Sequence, residues 1–186
     1  MSATNPTVTV GQMVLTPMQV LFQPAGDVAF MDLGGTLDNV VVSAKYTKAE
    51  IKADQLGTTV LDRAVSGIEI TVTTSLTEIR NKEFMNIVYP AATLGGTGVS
   101  DAAYLQFNSQ VGNRDQDVAG ILKLHPISVA ATDESQDLYF WKATSSEESE
   151  ITWGPEEQSK AKLVWNILPD LSVSPPRFFR YGDKDL

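Results

Sequence analysis

Apolar and polar positions in this chain alternate with a period of two over most of its length, the spacing of half-buried strands rather than helices. The longest such stretch opens with "NVVVSAKYTKAEIKADQ". A β-branched start gives way there to alternation, with Ala49, Ile51 and Ala53 on one face and Lys48, Glu50, Lys52 and Asp54 on the other. A tight turn follows at Leu56-Gly57, "TTVLDRAVSG" continues as strand with a break at Ser66-Gly67, and "IEITVTTSL" resumes the alternation. In that last run Ile68, Ile70 and Val72 point inward, and Glu69, Thr71, Thr73 and Ser75 point outward. One buried and one polar face is the pattern of an antiparallel hairpin with a wet side. The hairpin is longer than a small domain needs for its own core.

The period then changes. Thr77 is placed to N-cap "EIRNKEFMNIVY", where Glu78 and Lys82 are spaced i,i+4, Ile79, Phe84, Ile87 and Val88 form an apolar stripe, and Pro90 ends the run. This predicts one helix over 78–89. Before the hairpin, "MQVLFQ" and "DVAFMDL" read as short strands reached through a Thr-, Pro- and Gly-rich arm. After the helix come a small-residue loop, "AATLGGTGVSDAA", and strands at "AYLQFN", "VAGILKLHPISV", "DLYFWKAT" and "KAKLVWNILPD". An acidic loop, "SSEESEITWGPEEQS", separates the last two and has room for one short strand at Ile151 to Trp153. The tail after Pro175-Pro176 reads as extended, anchored by Phe178 and Phe179. Eight to ten strands and one helix predict a mainly β fold, an antiparallel sandwich or barrel with a flanking helix. The expected divisions are an arm with the first strands at 1–32, a β domain at 33–174 and a tail at 175–186.

Composition narrows the partners. The chain has 186 residues, no cysteine and a formal net charge of -9. Disulfides and thiolate metal sites are excluded. A protein this acidic does not grip nucleic acid, because phosphate affinity comes from Lys and Arg displacing counterions. The start, "MSATNPTVTVGQ", has no basic segment leading into an apolar one, and no apolar run has bilayer length. The chain is therefore read as soluble and cytoplasmic, with no signal for export and no membrane partner.

Candidate chemistry is thin. His125 is the single histidine and stands in "LKLHPIS" with no second ligand or nucleophile nearby, so a structural role is expected. "LGGTG" lacks the GK[ST] ending of a phosphate loop. The carboxylates Glu147, Glu148, Glu150, Glu156 and Glu157 lie in a polar loop with no fixed separation and no calcium-loop spacing. Tyr139, Trp141 and Trp153 leave open a carbohydrate-binding β-sandwich. No catalytic residue, metal or cofactor is expected, and the function is read as one carried by surfaces rather than by an enzyme's reactive site.

The order of features resembles the tail tube (major tail) proteins of long-tailed bacteriophages. The resemblance rests on "MDLGGTLDNVVVSAKYTKAEIKADQLGTTVLDRAVSGIEITVTTSLTEI" running into a helix, on "FWKATSSEESEITWGPEEQSKAKLVWNILPD" and on the closing "RFFRYGD". It implies a β-sandwich or split-barrel subunit whose long hairpin joins a ring-wide inner barrel. The rings, usually hexamers, stack into a tube in the virion through which DNA passes at ejection. Partners implied are other copies of the chain and the tape measure, tail terminator and baseplate proteins. A tube protein of a contractile tail or secretion apparatus is the alternative of the same kind. On this reading Lys48, Glu50, Lys52, Asp54, Glu69, Thr71 and Thr73 line the lumen, and Gln55, Leu56, Gly57, Thr58, Phe178 and Phe179 make ring or stacking contacts. Lys48 and Lys52 depart from an acidic lining: they either pair with Glu50 and Asp54 or point the other way.

Overall fold

The structure is a computed structural model, and it describes residues 17–52, 59–77, 92–95, 104–107, 111–112, 114–145, 149–154 and 159–183. The expected helix at 78–89, residues 1–16 of the arm and the hairpin turn at 53–58 lie outside them. The described chain is mainly β and antiparallel. Its strands are β1 (Met18–Gln23), β2 (Met31–Asp32), β3 (Val41–Lys52), β4 (Val60–Leu76), β5 (Ala92–Gly95), β6 (Tyr104–Phe107), β7 (Gly120–Pro126), β8 (Leu138–Ser145), β9 (Glu150–Thr152), β10 (Lys160–Ile167) and β11 (Phe179–Tyr181). A single helical turn, α1 (Asp115–Val118), precedes β7.

Nine strands form one open sheet in the order β2-β1-β7-β8-β10-β4-β3, with β11 added beside β8 and β9 beside β10. β5 and β6 pair separately. Residues 92–95, expected within a small-residue loop, are strand instead. Backbone pairing to Tyr104–Phe107 makes a strand of a segment whose intrinsic preference is weak.

The alternation read from the sequence becomes one continuous apolar face. Val20 stands opposite Leu124 and Phe22 opposite Leu122 across β1 and β7. Leu122 stands opposite Phe140 on β8. Ile167 and Trp165 stand opposite Ile70 and Val72 across β10 and β4. All these side chains are buried, and with Leu33, Leu76, Ala143, Ala161 and Leu163 they make a single core cluster. Each large one contributes about 1.5–3 kcal/mol by leaving water. Trp165 also donates its indole N–H to the buried Thr74 hydroxyl at 3.2 Å, so the polar atom of each is satisfied inside the core.

The sheet curls strongly. The rings of Phe22 on β1 and Trp165 on β10 have centroids 4.9 Å apart. On a flat sheet the two intervening strands would hold them roughly 14 Å apart. The segment after β2 crosses from one side of the curl to the other: Leu33 N–H donates to Val20 O at 2.9 Å, Leu37 N–H to Ser75 O at 2.9 Å, and Thr77 N–H to Gly35 O at 3.1 Å. Thr36 forms an antiparallel bridge with Leu76. This crossing ties the start of the β3–β4 hairpin to both sides of the core.

Candidate functional site: an exposed two-stranded ribbon

β4 is seventeen residues long, but only its second half belongs to the core. β10 pairs with Ile70 to Leu76 and stops there. Residues 60–69 pair only with β3 among the described residues, and all twelve residues of β3 are exposed. At about 3.3 Å per residue, roughly 30 Å of two-stranded ribbon extends beyond the paired body of the sheet. An isolated hairpin of this kind is marginally stable in water. It nevertheless exposes large apolar side chains, with Tyr46 at 57%, Ile51 at 47% and Ile68 at 41%.

Register decides which residues share a face. Next to the core, Val42 opposes Val72, Ala44 opposes Ile70 and Tyr46 opposes Ile68. These pairs continue the apolar core face outward. The other face carries Val41 opposite Thr73, Ser43 opposite Thr71 and Lys45 opposite Glu69. The register shifts after Thr47, where Gly67 gives way to Val65 as the opposing residue and Ser66 is left over in β4. The Ser66 hydroxyl fills this bulge by donating to Thr47 O at 3.1 Å. A second shift follows Ile51. Such bulges bend a ribbon and increase its twist.

β3 keeps its two-residue alternation past the bulge, so Lys48, Glu50 and Lys52 extend the face of Val42, Ala44 and Tyr46. Ala49 and Ile51 extend the face of Lys45. Each face of the ribbon therefore changes character halfway: the apolar one becomes charged, and the polar one becomes partly apolar. The expected polar set is divided between the two, with Glu69, Thr71 and Thr73 on one face and Lys48, Glu50 and Lys52 on the other. Asp54, Gln55, Leu56, Gly57 and Thr58 lie outside the described residues.

The charged section is cross-linked within the ribbon. Lys52 Nζ lies 3.0 Å from Glu50 Oε2, Arg63 Nη2 lies 3.5 Å from Glu50 Oε1, and Lys45 Nζ lies 3.7 Å from Glu69 Oε2. Exposed pairs of this kind are worth under about 1 kcal/mol each. Lys52–Glu50 lies within β3, but Arg63–Glu50 and Lys45–Glu69 join β3 to β4 and act on register, since a slip by one residue would separate them.

Two backbone edges remain unpaired among the described residues: that of β3 along Val41 to Lys52, and that of β4 along Val60 to Glu69. They lie on opposite sides of the ribbon and run in opposite directions. Edges of this length are templates for further strands.

No protein-family model matches the chain, and no curated protein matches it. The ribbon therefore stands on its geometry.

The tail anchors occupy different settings. Phe178 is half-buried against the core, and Phe179 is 43% exposed with its ring centroid 5.7 Å from that of Phe140. The aromatics that left a sugar platform open do not present one together. Tyr139 is buried, and its hydroxyl donates to Glu134 Oε1 at 3.0 Å. Trp141 carries the Arg177 guanidinium 4.1 Å from its ring centroid. Trp153 is exposed beyond β9.

A second arrangement was only partly legible in the sequence. On the side of β7 away from the core, Lys123 and His125 are buried beside Asp137 and Tyr139. Lys123 Nζ lies 2.9 Å from Glu134 Oε1 and 2.8 Å from Asp137 Oδ2, and His125 Nδ1 lies 2.6 Å from Asp137 Oδ1. The Lys123 ammonium, 2.8 Å away, is the opposite charge that holds Asp137 Oδ2 in place. Burial opposes the charge on Lys123, but Asp137, Glu134 and Tyr139 outweigh it and raise the ammonium above its ordinary range. Burial also raises the Tyr139 phenol, helped by its bond to Glu134. The signal for this cluster was the i,i+2 spacing of Lys123 and His125 on an otherwise apolar strand. Glu134 and Asp137 arrive from a connecting segment and carried no such signal. Among the described residues no three His, Asp or Glu side chains converge as a metal site.

Proposed function

We propose that this chain is the repeating subunit of a phage tail tube, a structural virion protein that assembles with copies of itself into rings, usually of six, which stack around a lumen for DNA. The observation that carries the reading is the ribbon of β3 and β4 with an unpaired edge on each side. Because β3 and β4 are antiparallel, β3 of one subunit set against the outer β4 edge of the next, related by rotation about a ring axis, also makes an antiparallel pair. Repetition closes a barrel and removes every edge. A ribbon whose outer part adds nothing to the buried core and exposes Tyr46, Ile51 and Ile68 gains its burial in such an assembly.

Within this reading the body of each subunit is a split barrel or sandwich, and the helix predicted at 78–89 flanks it. The curl that brings Phe22 to Trp165 supports that shape. The face bearing Lys45, Glu69, Thr71 and Thr73 balances one cation against one anion among hydroxyls, and suits a lumen that lets a duplex slide. The overall charge of -9 acts in the same direction. The change of character at Ser66 divides the ribbon into a section whose apolar face continues the core and a section whose apolar positions face the other way. Stacked rings provide two such environments, one beside the subunit's own body and one against the next ring.

Negative-stain electron microscopy of the concentrated full-length protein tests the proposal. Rings and stacked tubes with a central channel are expected. A protein that stays monomeric at every concentration and forms no rings overturns it.

A further inference from the structure

Gly120 stands opposite Ala143 and Leu122 opposite Phe140, so β8 advances three residues there while β7 advances two. The extra residue falls at Trp141-Lys142. A bulge of this kind re-aims side chains. Its backbone is tied down along the other edge of β8, where Trp141 N–H donates to Phe178 O at 3.3 Å and Lys142 O accepts from Leu168 N–H at 2.8 Å.

Trp141 and Lys142 both line a cavity of about 300 Å³ that opens to solvent. That volume lies at the lower end of the range for small-molecule sites. Another wall is the turn between β1 and β2, Pro24 to Asp27. Asp27 N–H donates to Pro24 O at 3.2 Å across this turn, and Gly26 takes the left-handed backbone, φ 90°, that its third position requires. The Gln23 amide donates to Asp27 O at 2.6 Å and fixes the turn to the end of β1.

The polar groups of this lining are unevenly used. Asp170 also lines the cavity, but its carboxylate is taken up by Ser172 and Arg177, and the Arg177 guanidinium lies on the Trp141 ring. Lys142 is half-buried and has three protons to donate, yet its one bond is to Gln116 O at 3.4 Å. Among the described residues the Trp141 indole N–H and the Asp27 carboxylate have no hydrogen-bond partner. Two donors and an acceptor therefore stand unspent around one aromatic ring.

We propose that this cavity binds a neutral saccharide, one hexose unit with its C–H groups against Trp141 and its hydroxyls on Lys142, the indole N–H and Asp27. A hydroxyl both donates and accepts, so it answers either kind of group. A simple anion meets Asp27, Asp170 and a chain of net charge -9, and a simple cation meets Lys142 with Arg177 beside it. An apolar ligand would displace water from the ammonium and the indole N–H without replacing its hydrogen bonds. The site does not rest on ring assembly.

The test titrates the full chain with glucose, galactose and N-acetylglucosamine, each up to about 50 mM, and with acetate and methylammonium as charged controls; a site of this few contacts binds on the order of 1–10 mM. The chain has three indole N–H resonances, of Trp141, Trp153 and Trp165, and the Trp141 signal is expected to shift saturably with at least one sugar while that of the buried Trp165 stays in place. Lys142→Met is expected to weaken binding about tenfold, and Asp27→Ala, on an exposed turn, about fivefold. If no sugar moves the Trp141 resonance, or if acetate or methylammonium moves it as far as the sugars do, the proposal is overturned. Unchanged affinity in Asp27→Ala and Lys142→Met overturns it equally, and if Lys142→Met fails to fold, Asp27→Ala decides.

Discussion

Phe22 and Trp165 meet at 4.9 Å across a sheet in which two strands separate them. Both are buried, Trp165 completely, and their contact records how far the sheet has curled. Trp165→Ala is expected to cost about 3–5 kcal/mol, from lost burial and an unfilled cavity. Trp165→Phe keeps much of the packing but strands the Thr74 hydroxyl, at about 1–3 kcal/mol. Urea unfolding followed by circular dichroism measures both.

Gly120 allows β7 to lie close against the end of β1. A Cβ at this position would collide with the Gln23 carbonyl oxygen and the Phe22 ring. Gly120→Ala is expected to destabilise by about 1–3 kcal/mol, more than any gain from restricting the unfolded chain. A lowered thermal midpoint with unchanged far-ultraviolet dichroism would identify strain in place rather than a different fold.

The Lys123 cluster sets the alkaline limit of stability. Lys123 and Tyr139 are both raised above their ordinary values of 10.5 and 10.0. The folded state then holds protons that the unfolded state has released. Their contribution is complete below about pH 10 and is lost as pH rises beyond it. Lys123→Met leaves Asp137 and Glu134 without their shared cation and is expected to cost about 3 kcal/mol at neutral pH, with a flatter alkaline limb. Denaturant midpoints measured against pH separate the two effects.

Asp170 governs the acid side of the C-terminal segment. Its carboxylate accepts from the Ser172 hydroxyl at 2.6 Å, the Ser172 N–H at 3.0 Å and Arg177 Nε at 2.9 Å, and these bonds hold it below its ordinary value of 3.8. Its contribution is present above that value and disappears as pH falls through the depressed one. Asp170→Asn is expected to remove this part of the acid dependence and to loosen Arg177 from Trp141. Tryptophan fluorescence during acid titration reads both.

Tyr46 and Ile68 oppose each other on the ribbon and are exposed, so they separate assembly from folding. The double substitution Tyr46→Lys and Ile68→Glu, which sets opposite charges across the pair, is expected to change monomer stability by no more than about 0.5 kcal/mol for each site. It is expected to abolish rings and tubes. Chemical denaturation measures the first and electron microscopy the second; unchanged assembly would remove this face from the interface.

The strands were legible because their residues alternate. "IEITVTTSL" announced Ile70 and Val72 as buried, and the structure buries them. Ile51 and Ile68, equally apolar, are exposed, because burial depends on whether a neighbouring strand arrives and β10 stops at Ile70. Ala92–Gly95 was not legible at all, since its pairing with β6 is a backbone event that its side chains do not signal.

That this chain is mainly β, that one hairpin is longer than its core requires and which residues alternate within each strand could all be read from the order of side chains. Those are local properties, set by side-chain type and the two-residue repeat of an extended backbone. Which faces join depends on pairing between distant segments. The leftover Ser66 offsets β4 against β3, so polar residues read as one surface lie on two. Folding likewise brought Glu134 and Asp137 to Lys123 and His125, because charges from separate segments find one another only where the folded sheet leaves a buried place for both.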